Sequence, residues 1–327
     1  MTLNRYGYIL SNGVTMLAMG LLIVSFLSCK TIKVTAIDPV VKNEINYIPY
    51  YLKVYEADSL FLTNNYQRSY EILDSLFQHY EPLNMEGYFE YSAYIATSVL
   101  THHLKDIDKK IRKGYADFGH ISISHKNSFD FYDSIMKTSK LTETEIRILK
   151  LEHSKKINLD LRQKIVIMSE EDQAPRIDYN TDKIKFYQEK HKIEIEDIIS
   201  KYGYPNYKVI GDVSYSDGTD KIYKSVSFTT IFLHQDMNVK EKYLPMMLEG
   251  VKKGTFLPAD YAAIFDKSIW QSTSEKNNPQ QLYGTFPKLN LKYPKKINTI
   301  RKSIGLPHLG YEVWRYNQIF EEKVNTN

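Results

Sequence analysis

Six polar residues in the second half of this 327-residue chain have the side chains that hydrolysis uses: Asp172, Arg176, His234, Asp236, Gln281 and Tyr283. A histidine beside a carboxylate works as a general acid–base, because the carboxylate fixes the imidazole tautomer and raises its proton affinity. His234, Asp236 and Asp172 are therefore the candidate catalytic set, with Arg176, Gln281 and Tyr283 expected to bind and orient a substrate. The competing expectation is a buried hydrogen-bonded network that locks helices together, with Gly284 serving a turn.

Other chemistries find little support. His234-x-Asp236 offers two metal ligands, and Glu170 or Asp172 could add another, but there is no His-Glu-x-x-His segment and only one cysteine. Neither a metal nor a cofactor is expected. His102, His103, His120 and His125 lack ligand spacing and read as solvent-exposed. There is no glycine-rich phosphate loop and no Gly-x-Ser-x-Gly elbow.

The elements that must position these residues are helices. Asn158 can cap a helix whose apolar line runs Leu161, Ile165, Met168 and then Asp172, a polar intrusion that needs a partner. Pro175 should end or kink that helix before Arg176. Residues 181–202 carry the cleanest helical period, Ile184, Tyr187, His191, Ile195, Ile198 and Tyr202, closed by Gly203 and Pro205. His191 on that face reads as a satisfied core histidine. Residues 204–220 look like loop, and 221–234 fit strand or helix, with helix preferred. Asn238 with Glu241 can form a capping box for a helix over 239–253, closed by Gly254, and Pro258 opens another to about Trp270.

The first half is also helical. Tyr51, Val54, Tyr55, Asp58, Phe61 and Leu62 follow three-and-four spacing up to Asn64-Asn65. Tyr66, Ser69, Tyr70, Leu73, Leu76 and Phe77 form the next stripe. Small residues at Ala57 and Ser69 allow close approach, so the pair resembles one tetratricopeptide-type unit. Residues 88–103 and 106–118 suggest a second pair, and 129–151 adds more helix.

Asp172-Gln173 with Arg176, Gly203-Tyr204-Pro205, Gly211, His234-Gln235-Asp236, Pro245, Gly254, Asp266-Lys267, Gln281-Leu282-Tyr283-Gly284-Thr285, Arg301 and Gly305-Leu306 resemble the bacterial domain-of-unknown-function family 6624. The resemblance covers residues 158–311. It implies a mostly helical domain, often secreted or lipid-anchored, with no agreed activity. The chain departs from the family pattern at Leu233, where a glutamine is usual, and at Lys267, Phe286 and His191, where arginine, glutamine and asparagine are usual. Arginine to lysine removes a bidentate fork for a carboxylate. These departures favour a non-enzymatic role.

Address comes from the other end. Residues 14–27 are apolar, matching the roughly 7–15 residues of a signal-peptide core and short of the about 20 that span a bilayer. Phe26-Leu27-Ser28-Cys29 resembles the lipobox of bacterial lipoproteins, in which the cysteine is acylated, palmitate included, and becomes the mature N-terminus. Acyl chains hold a soluble body on a membrane at about 0.8 kcal/mol per buried methylene. Lys30-Thr31 carries neither an inner-membrane retention aspartate nor an acidic export run. The resemblance therefore implies the outer membrane, facing the periplasm. With Cys29 acylated, no thiol is left for a disulfide. The net charge of +4 argues against nucleic-acid binding. From 276 to 311 there is no Asp or Glu, and Lys276, Lys288, Lys292, Lys295, Lys296, Arg301 and Lys302 form a basic run with interleaved aromatic rings. Lys288, Lys292, Lys295 and Lys296 are the candidate contact for anionic headgroups or an acidic ligand.

The expectation is a mainly α protein: signal peptide 1–28, tether 29–44, helical repeat-like domain 45–155 and a second, mostly helical domain 156–327. The first expected function is binding or structural, through helical contacts with an envelope protein partner. The alternative is an envelope hydrolase using a His/Asp pair.

Overall fold

The computed structural model describes residues 45–212, 215, 216, 219, 221–272 and 279–320. The expected signal peptide, the expected lipidation site Cys29, the expected tether and Lys276 lie outside the described residues. Glu44–Asn327 is one compact unit, so the boundary expected at 155/156 falls inside it. The chain is mainly α, and no helix among the described residues is long and apolar enough to cross a membrane.

Helix α1 (Ile48–Leu62) carries Pro49 in its first turn, where its missing N–H costs nothing. Asn64 turns the chain with φ +63°, and α2 (Tyr66–Phe77) packs back on α1. The small residues do what their size allows: Ser69 Oγ donates to the Ala57 carbonyl at 2.9 Å, in an interior with Val54, Phe61 and Leu73. Then come α3 (Glu90–Leu100), α4 (Ile107–Phe118), α5 (Ser128–Thr138) and α6 (Glu143–Ser154), the last opened by a Thr142/Glu145 capping box. Several of the buried tyrosines are accommodated because their hydroxyls find partners. Tyr50 donates to Glu90 at 2.6 Å and accepts from the Leu83 N–H at 2.8 Å.

Helix α7 (Leu159–Ile177) starts on Asn158, whose side chain accepts from the Leu161 N–H at 2.9 Å. It does not stop before Arg176. Pro175 sits in the last turn, so the one bond it forfeits, from its missing N–H to the Glu171 carbonyl, lies near the helix end, and the helix runs two residues further, to Ile177. Helix α8 (Thr181–Tyr202) has the expected bounds and forms a hairpin with α7, ending at Gly203 with φ +69°. After α9 (Tyr207–Ile210), only α10 (Phe228–Leu233) is helical within the stretch read as helix over 221–234. Residues before it are extended, with Ser216 bridged to Ile222 and the Tyr223 N–H on the Tyr215 carbonyl at 2.9 Å. Helix α11 (Met237–Lys253) starts ahead of the expected capping box. Asp236 is its N-cap, which leaves Asn238 exposed inside the first turn.

Helix α12 (Pro258–Ser272) leads to a two-stranded parallel pair, β1 (Gln280–Gln281) with β2 (Asn290–Leu291), then to α13 (Ile297–Ser303) and α14 (Tyr311–Phe320). The chain closes on its first helix. Tyr311 Oη donates to Asp58 Oδ2 at 2.7 Å and Arg315 Nε to the same oxygen at 2.8 Å, all three residues buried. Tyr51 Oη donates to the Val251 carbonyl at 3.0 Å. One core thus joins both halves.

Candidate functional sites

Asp172 has the partners its position demanded. It is 3% exposed; Arg176 donates to Oδ1 from Nη2 at 3.0 Å, and Gln173 to Oδ2 at 2.7 Å. His234 Nδ1 donates to Oδ2 at 2.5 Å. Burial pushes the Asp172 carboxyl up, but the bonds from His234 and Arg176 outweigh it and hold the pKa below the usual value. Because α7 continues through Pro175, Arg176 stays one turn from Asp172. The His234 loop is pinned by Gln188 Nε2, which donates to the His234 carbonyl at 2.5 Å. Lys240 adds bonds to the Gln235 carbonyl and to Gln271 Oε1 at 2.7 Å. Burial, then the charge of Lys267, lowers the Lys240 ammonium to about 8.

The rest of the expected constellation does not converge there. Asp236 is exposed at the head of α11 and does not pair with His234. Gln281 is buried and used up locally: Nε2 donates to the Phe286 and Leu289 carbonyls, both at 2.7 Å, and Oε1 accepts from the Phe286 N–H at 2.8 Å. Tyr283 packs on Phe265 with ring centroids 5.3 Å apart. Asp266, fully buried, receives the N–H groups of Leu282 (2.7 Å), Tyr283 (3.0 Å) and Thr285 (3.2 Å). Arg301, expected in the basic run, is buried and donates to the Tyr283 carbonyl at 2.6 Å and the Pro307 carbonyl at 2.7 Å. These residues hold one loop in shape. Lys288, Lys292, Lys295, Lys296 and Lys302 are exposed.

His120 and His125 correct the reading of solvent-exposed histidines. His125 is 4% exposed between Phe61 and Phe131, and burial lowers its pKa. His120 is the centre of a relay. Ser122 Oγ donates to its Nδ1 at 2.8 Å, and its Nε2 donates to Asp212 Oδ2. The three side chains line a cavity of about 250 Å³ together with Lys150 of α6, Glu86 and Phe89, whose ring meets the imidazole edge-on at 5.4 Å. Residues 120–124 are not helical. Ile121 turns into the core while His120 and Ser122, two apart, line the cavity together, as in an extended segment.

Asp212 is brought there by Arg162 of α7, 1% exposed. Its Nη1 donates to the Ile210 carbonyl at 2.9 Å and the Asp212 carbonyl at 2.8 Å, and its Nη2 to the Lys224 carbonyl at 2.8 Å. A hydroxyl, an imidazole and a carboxylate are thus connected in series, an arrangement that can activate a serine for acyl transfer, and Lys150 also lines the cavity, its ammonium 5.5 Å from the Tyr115 ring. Sequence reasoning missed it because Asp212 is 92 residues from His120. The alternation His120-Ile121-Ser122 was the one local signal.

His191 is buried, with Nε2 on Glu171 Oε2 at 3.1 Å, but Nδ1 has no partner among the described residues, so it is only half satisfied. Glu171, His191 and Glu194 bring ligand atoms within 4.8 Å of one another, a set that could hold a divalent ion. Lys190 already neutralises Glu171 at 2.6 and 2.7 Å and would have to be displaced.

Compared with known proteins, the chain matches no family model, no curated protein and no solved structure.

Proposed function

We propose that this chain is a lipid-anchored envelope hydrolase, held at the outer membrane through Cys29 and facing the periplasm, that cleaves an acyl bond at Ser122. The observation that carries the reading is the Ser122–His120–Asp212 series on the wall of one cavity. Ser122 Oγ attacks the acyl carbonyl while its proton passes to His120 Nδ1. Asp212 steadies the imidazolium, and Lys150 supplies positive charge to the oxyanion. The proton then goes to the leaving group, and water, deprotonated by the same nitrogen, releases the acid.

Full-length protein treated with a fluorophosphonate and digested should carry the label on the peptide containing Ser122. Ser122→Ala and His120→Ala should lose both the label and p-nitrophenyl acetate hydrolysis, while His234→Ala keeps them. Hydrolysis that survives Ser122→Ala and disappears in His234→Ala would transfer the chemistry to the His234–Asp172 pair. No label and no hydrolysis would leave a second reading, a binding or structural protein acting through its helices. That reading is favoured by the way Gln281, Asp266 and Arg301 spend their polar atoms on one loop.

A further inference from the structure

A second cavity, of about 350 Å³, shares Glu86 with the Ser122 cavity. It is lined by two carboxyl side chains, Glu86 and Asp260, and by the rings of Tyr204, Tyr207, Phe228 and Phe256, with no Lys, Arg or His on its wall among the described residues. Tyr204 is packed against Phe256 and Phe228 with centroids 4.3 and 5.4 Å apart, so these rings form a continuous aromatic wall. The Tyr207 hydroxyl is buried without a partner among the described residues. Neither carboxyl takes part in an ion pair among the described residues.

Burial drives the Asp260 carboxyl up to about 6. Desolvation, then the charges of Asp212 and Asp260, drives Glu86 up to about 7. Both carboxylates therefore carry a burial cost that the Thr229 hydroxyl at Asp260, and the charges of Arg162 and His120 at Glu86, offset only in part. A neutral or anionic ligand would leave that cost in place. A ligand cation removes it, and its alkyl groups meet the negative faces of the rings.

We propose that this cavity binds an organic cation, the ammonium or quaternary ammonium group of the substrate, while the acyl group lies against Ser122. The substrate class is then an ester or amide of a small amino compound. The inference rests on the Ser122 reading for its placement of the acyl group, but the cation site can be measured alone.

The test uses the catalytically silent Ser122→Ala full-length protein and calorimetric titration with three probes: choline, ethanolamine and the neutral choline isostere 3,3-dimethylbutan-1-ol. The expected result is saturable binding of a cation and at least about tenfold weaker binding of the isostere, the scale of a desolvated cation–π and charge contact. Choline binding over ethanolamine assigns a quaternary group, and the reverse a primary ammonium that needs N–H donors. Asp260→Asn and Phe228→Leu should each weaken the cation about tenfold or more with far-ultraviolet circular dichroism unchanged. If either variant unfolds, Glu86→Gln and chemical-shift changes at Tyr204 and Phe256 in the Ser122→Ala protein take its place. Equal binding of the isostere, or no binding of either cation, overturns the proposal. Cation binding without a label on Ser122 would overturn the hydrolase reading and leave the cation site standing. A labelled Ser122 without cation binding would do the opposite.

Discussion

Replacing Arg162 with lysine tests whether the relay is held from behind. The guanidinium makes three short bonds, at 2.8–2.9 Å, to the carbonyls of Ile210, Asp212 and Lys224, with a longer one to Gly211 at 3.4 Å. An ammonium on a single stem can keep one, so two bonds from a charged donor are lost, at about 1.5–3 kcal/mol each. Part of that returns because the freed carbonyls at 210–212 can turn to water, leaving about 2–4 kcal/mol. At roughly 2–4 °C per kcal/mol for a body of this size, the melting temperature should fall by about 5–15 °C. Asp212 rides on the released segment, and a displacement of about 1 Å at a catalytic group costs on the order of a hundredfold in rate. Differential scanning fluorimetry and the rate of fluorophosphonate labelling read the two effects separately. A variant that melts within about 1 °C of wild type would refute the clamp, since lost charged bonds cannot be that cheap. A lowered melting temperature with an unchanged labelling rate would show that Asp212 is positioned by something else.

Two further outcomes follow. The Asp260 pKa, raised from 3.8 to about 6, means that the folded chain keeps a proton the unfolded chain releases, so stability falls as pH rises across that interval. Asp260→Asn should therefore match wild type near pH 4 and melt higher at pH 7, and an equal difference at both values in thermal melts would contradict the assignment. For the exposed lysines, neutralising Lys292, Lys295 and Lys296 together should weaken binding of the unlipidated chain to phosphatidylserine vesicles about a hundredfold, at roughly 1 kcal/mol each. Unchanged, salt-insensitive sedimentation with the vesicles would remove that surface from consideration.

What the sequence made legible follows from what is local. The bounds of α8, the Asn158 cap and the Ala57/Ser69 approach are decided within a turn or two, and periodicity and residue size report them. Asp172 could be singled out because a carboxylate on an apolar line must be paired. The extended run before α10 was not legible, because tertiary bonds decide it. Ile222, which suited a helical stripe, is 80% exposed, while the Lys224 carbonyl is claimed by Arg162 from another helix. Gln281 and Tyr283 share the functional look of His234, and only the backbone carbonyls and rings around them reveal that they are occupied. His120 and Asp212 meet through three-dimensional folding alone.

The bond from Arg315 to Asp58 spans 257 residues. During synthesis, Asp58 emerges long before the guanidinium that neutralises it, and until then burial would strand a carboxylate whose pKa desolvation already raises. The earliest described helix is thus among the last to be finished. Losing α14 would be felt at the opposite end of the sequence, in a loosened α1 whose Asp58 has lost the partners that Tyr311 and Arg315 supply.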